Sequence, residues 1–154
     1  MYPGRRALSA AWLVGALAAC QRAPAPEPTG AGPSHDAGAV SGDTLWGSAW
    51  TLEDIAGAGV IDDAQATLEF PAAGKVAGRG SCNRFFGTVE VTGDHIRFGP
   101  LGATRMACAE AVMDQETRYL KQLEAARRFA VEGDVLRIYA AESSPSLRFT
   151  RQSR

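Results

Sequence analysis

The chain has 154 residues, 45% of them hydrophobic and 21% charged, with 16 basic against 17 acidic side chains and a formal charge of −1. It has no excess of positive charge with which to grip polyphosphate, so no nucleic-acid partner is expected. The three cysteines, Cys20, Cys82 and Cys108, are few enough to be read one by one.

Residues 1–19 start with Arg5 and Arg6 and continue through apolar and small residues from Ala7 to Ala19. That run is too short for a retained membrane span and has the plan of an export signal. Its end, Leu17-Ala18-Ala19-Cys20, resembles the lipobox of bacterial lipoproteins. There a cysteine sulfur accepts diacylglycerol and becomes the first mature residue. Ordinary secretion is the alternative, because Ala16-Leu17-Ala18 also fits a small-x-small cleavage pattern. Lipidation at Cys20 is the preferred reading, since an unmodified cysteine there would be an unpaired exported thiol. The expected partner is therefore a membrane, contacted through a lipid anchor at Cys20. Gln21 lacks the acidic retention signal of some bacterial lipoproteins, which favours the outer membrane with the domain facing the periplasm.

Residues 20–43 make the lipidated cysteine and a tether. Beyond Cys20 Pro, Ala, Gly and Ser predominate, and a single valine is the one branched or aromatic apolar residue, too little apolar surface to offset ordering entropy. A flexible chain of this length spans roughly 25–30 Å. Removal of the leader with Arg5 and Arg6 leaves 14 basic residues against 17 acidic, a formal charge of −3.

Residues 44–154 suffice for one core, and one domain is expected. Alternating patterns predict strands at 49–55, 66–70, 75–79, 87–91, 95–98, 128–131, 135–140 and 146–150. Pro71-Ala72-Ala73-Gly74, Thr92-Gly93-Asp94 and Glu132-Gly133-Asp134 are hairpin-like, so neighbours should pair antiparallel. Residues 109–126 contain neither Gly nor Pro and predict the one helix, with Val112, Met113, Tyr119, Leu120 and Leu123 on one face. Glu116 lies in the middle of that stripe, where a carboxylate needs a partner.

Two segments carry a resemblance. Gly78-Arg79-Gly80-Ser81-Cys82-Asn83-Arg84-Phe85-Phe86-Gly87 is followed by Thr104-Arg105-Met106-Ala107-Cys108 and then by Met113, Gln115 and Glu116. With Trp50-Thr51-Leu52 near the start and Leu147-Arg148-Phe149 near the end, this closely resembles the META domain, the family of HslJ-like heat-shock lipoproteins. The resemblance implies an α+β fold, a single small domain whose antiparallel, barrel-like (cracked barrel) sheet of about eight strands packs one α-helix. It implies little about chemistry.

Residue by residue, the plain structural roles come first. Gly78, Gly80 and Gly87 suit tight turns or close strand approach, since no helix follows them in a nucleotide-binding arrangement. Asn83 suits a turn whose backbone its side chain satisfies. Trp46, Trp50, Phe85 and Phe86 read as core or rim packing, Trp50 most firmly because it opens an alternating strand. If Cys20 is lipidated, Cys82 and Cys108 are the remaining pair in an oxidising compartment and a disulfide is expected; two buried free thiols are the alternative. Glu116 is expected to meet Arg105, then Arg84, or backbone donors of the cysteine-linked segment. Arg84, Phe85, Phe86, Thr104, Arg105 and Met106 complete the candidate structural or binding set, with Phe85, Phe86 and Met106 as the lining of an apolar cleft.

No catalytic residue is proposed from the sequence. Cys82 and Cys108 are 26 positions apart and not a Cys-x-x-Cys pair, His95 with two cysteines is short of a zinc set, and no nucleophile motif accompanies a histidine. No metal and no cofactor are expected. Three functions remain: a non-catalytic envelope module that supports folding, secretion or stress tolerance by contacting another envelope component, a binder of an apolar small molecule or acyl chain, and an inhibitor or regulator of an envelope enzyme. A monomer is expected.

Overall fold

The computed structural model describes residues 42–140 and 147–153. After a 3-10 turn at Gly42–Thr44 come β1 (Ser48–Ile55), β2 (Thr67–Phe70), β3 (Lys75–Arg79), β4 (Arg84–Thr92), β5 (His95–Phe98) and the two-residue β6 (Gly102–Ala103). The helix α1 (Glu110–Glu124) follows, and β7 (Arg128–Glu132), β8 (Val135–Tyr139) and β9 (Leu147–Arg151) finish the domain. The leader, the tether and Cys20 lie outside the described residues.

Every pairing is antiparallel, and the order β1-β2-β3-β4-β5-β7-β8-β9 returns to β1. Eight strands thus close into an up-and-down barrel, and β6 pairs antiparallel with Phe85 and Phe86 of β4. Tight connections produce this order: Gly74, Gly93 and Gly133 hold the positive φ that their hairpins require. The seam between β5 and β7 is the narrowest, because β5 has four residues and the helix intervenes before β7. Its register rests on His95 opposite Arg128, with backbone bonds from Phe129 N–H to Asp94 O and from Ile96 N–H to Arg127 O. The Asp94 carboxylate reinforces it by accepting from Arg128 Nε at 2.9 Å, and this hydrogen bond to the guanidinium holds Asp94 below its usual range.

Period-2 alternation sends one face of each strand inward. Trp50, Leu52, Leu68, Phe70, Val76, Phe85, Val89, Ile96, Phe129, Leu136, Ile138 and Phe149 form the core. An eight-stranded barrel is only wide enough for its own side chains. Here the helix supplies part of the filling. The ring of Tyr119 lies 5.9 Å from Phe85 on β4 and 6.1 Å from Phe149 on β9, strands on opposite sides of the closed order. The buried Tyr119 hydroxyl donates to Thr67 O at 3.0 Å, and desolvation raises its pKa well above 10.0.

Candidate functional site

The motif segments meet around α1. Helical spacing puts Gln115, Glu116, Tyr119 and Leu123 on its buried side. Tyr119 and Leu123 enter the apolar core, while Gln115 and Glu116 face the β1–β2 connection and the β3–β4 turn.

Glu116 is 6% exposed and its carboxylate is fully engaged. Oε2 accepts from the peptide N–H groups of Cys82 at 3.0 Å and Asn83 at 2.6 Å, and Oε1 accepts from Asn83 Nδ2 at 2.8 Å. The expected pairing with Arg105 is not formed: Arg105 is exposed, and the charge is met by fixed backbone and amide donors. Bringing a guanidinium into the same buried place would add a second desolvation cost. Gly80 makes the approach sterically feasible, since a Cβ there would sit 2.8 Å from Glu116 Cγ and Oε2.

Asn83 carries the connection outward. Its Oδ1 accepts from Thr104 Oγ1 at 2.9 Å and from Met106 N–H at 2.7 Å, so its amide orientation is fixed by donors on one side and the carboxylate on the other. The Thr104 hydroxyl also accepts from Arg84 N–H at 3.2 Å. Two residues beyond Met106, Cys108 is bonded to Cys82 with Cα atoms 6.1 Å apart. The turn, the 104–108 segment and the start of α1 are thereby tied covalently and by hydrogen bonds at one place.

Gln115, quoted in the motif but given no role from sequence, is completely buried. Its Oε1 accepts from Ile61 N–H at 2.8 Å, and its Nε2 donates to Ala64 O and Ser81 Oγ, both at 2.9 Å. Ser81 holds φ at 111°, outside the regions that L-residues favour. The Gly80 N–H to Asn83 O bond of 2.7 Å, the disulfide at Cys82 and the Gln115 contact together hold it there.

The three residues expected to line one apolar cleft are separated by the pleat of β4. Phe85 points inward and is buried, whereas Phe86 is 64% exposed and Met106 54% exposed. The junction of the helix with the 78–87 segment is accordingly a filled polar network. Among the described residues no group of three or more His, Cys, Asp and Glu is placed to hold a metal.

The architecture and this network define a class: a small closed antiparallel barrel with one helix latched by a buried carboxylate into a disulfide-linked turn. The family model of the META domain matches residues 43–153, and the chain belongs to the META domain family. No curated protein matches it. A solved NMR structure of a protein from Burkholderia xenovorans is similar at 25% identity and a TM-score of 0.61, covering 73% of this chain and 86% of that one. A second NMR structure, at 22% identity and a TM-score of 0.59 over 72% of this chain and 94% of the other, has the same fold.

Proposed function

We propose that the protein is a lipid-anchored, HslJ-like module of the cell envelope that works by binding and not by catalysis, held through Cys20 at the outer membrane and serving stress tolerance on the periplasmic side. The observation that carries this reading is the use to which the motif's polar groups are put. Glu116, Asn83, Gln115 and Thr104 direct their hydrogen bonds into the protein, where they fix the helix, the turn and the 104–106 segment to one another. A general acid or base needs a lone pair or proton within reach of a substrate, and the Glu116 carboxylate is already bonded to three N–H groups of its own chain. Such a network suits a scaffold whose outer surface does the work.

Cross-linking in intact envelopes, followed by lipid extraction and mass spectrometry of the same purified sample, tests this reading. A stoichiometric envelope protein supports the contact role. A stoichiometric lipid moves the reading to an apolar-ligand binder, and the absence of both contradicts a binding role.

A further inference from the structure

A groove of about 380 Å³ lies on the outer face of β2, β3 and β4. Because Leu68, Val76 and Phe85 point into the core, the alternation of these strands turns Thr67, Arg79, Arg84 and Phe86 outward. Register sets Arg79 directly opposite Arg84, and Ala77 directly opposite Phe86. Two like charges facing each other across neighbouring strands cost stability. Among the described residues no carboxylate forms an ion pair with either guanidinium to relieve that cost.

The rest of the groove is apolar and shaped. Ala77 and Gly78 give a low floor. Phe86 forms a wall, and its exposed ring has a defined seat over Gly102, where an added Cβ would come within 3.2 Å of the ring. Glu69 borders the groove on β2, which disfavours a second negative charge there and directs an anionic head to the arginines. Since β2, β3 and β4 are each paired on both sides, no free strand edge adjoins the groove. Recognition must run through side chains, and the volume falls in the range of small-molecule sites.

We propose that this groove binds a single-chain amphiphilic carboxylate, its head held by Arg79 and Arg84 and its chain lying over Ala77 against Phe86. Adjacent guanidinium groups match a carboxylate's two oxygens, and the exposed aromatic wall matches an alkyl chain. The proposal rests on the binding reading above and places the ligand on the outer wall of the barrel.

Calorimetric titration with decanoate tests it, using the mature chain from residue 20 with Cys20→Ser, so that neither leader, acyl anchor nor detergent competes. Saturable binding at one site is expected, with decanol at least tenfold weaker. The double variant Arg79→Gln/Arg84→Gln should lose tenfold or more in affinity while its Tm holds or rises, because the like-charge contact is gone. Phe86→Ser, made with both arginines intact, should weaken decanoate independently. The proposal is overturned if the parent shows no saturable binding, if the double variant binds decanoate equally well, or if decanol or an acidic peptide without an alkyl chain binds as tightly. Such a failure leaves the cross-linking result untouched, so the two readings fail separately.

Discussion

Replacing Glu116 with alanine should be among the most damaging single changes in the domain that leave the apolar core intact. The substitution strips acceptors from three buried donors at once: the N–H groups of Cys82 and Asn83 and the Asn83 side-chain amide. Each unsatisfied buried donor costs about 1–3 kcal/mol. A water molecule in the vacated space recovers part of this, so the loss is set at about 3–5 kcal/mol. Glu116→Gln keeps one acceptor oxygen but opposes an amide nitrogen to an N–H donor, and should cost about half as much. Urea unfolding of the oxidised protein, checked by thermal melts in which each kcal/mol moves Tm by on the order of 4 °C, gives both numbers. A loss below about 1 kcal/mol for Glu116→Ala would refute the latch, because no group carrying three buried bonds is so easily dispensed with.

Replacing both Cys82 and Cys108 with serine should cost about 3–4 kcal/mol in urea unfolding, from release of the closed loop in the unfolded chain; an unchanged midpoint would contradict a structural bond. Tyr119 makes stability fall as pH rises above 10.0, since the unfolded chain ionises there while the buried hydroxyl keeps its proton. Tyr119→Phe should flatten that alkaline decline at the expense of about 1 kcal/mol at neutral pH for the bond to Thr67 O, as read from urea midpoints at pH 8 and 11. In cell fractionation the wild-type protein should partition with membranes and Cys20→Ser should be soluble once its leader is removed; a serine variant that stays membrane-bound without its leader would remove the lipid anchor from the account.

Much of the barrel was legible because its signals are local. The strands β3 and β5 have the bounds that alternation and flanking glycines give them. The start of β4 was hidden by the adjacent aromatics Phe85 and Phe86, which break an apolar-polar alternation although one faces in and the other out. Gly102 and Ala103 have no strand propensity of their own and form β6 only through pairing with Phe86 and Phe85. The helix runs from Glu110 to Glu124, inside the 109–126 expected, and Ala109 offers no side-chain cap to mark its start. Its buried face is rotated toward Gln115, leaving Val112, Met113 and Leu120 half-buried. Glu116 is legible in the sequence because a carboxylate interrupts an apolar stripe. Gln115 is not, since an uncharged polar residue at a helix position reads as solvated until the loop groups of Ile61 and Ala64, more than fifty residues earlier, are brought to it.

Native-state hydrogen exchange at the amides of Cys82 and Asn83 tests the latch most directly. Both N–H groups lie in a turn outside the strand ladders, and the acceptor of each is the Glu116 carboxylate. The account predicts protection within about tenfold of the Leu52 amide, a core-strand group bonded to Ala66 O, and loss of that protection in Glu116→Ala, which leaves neither N–H an acceptor. Exchange at the rate of an exposed turn in the wild-type protein would contradict it.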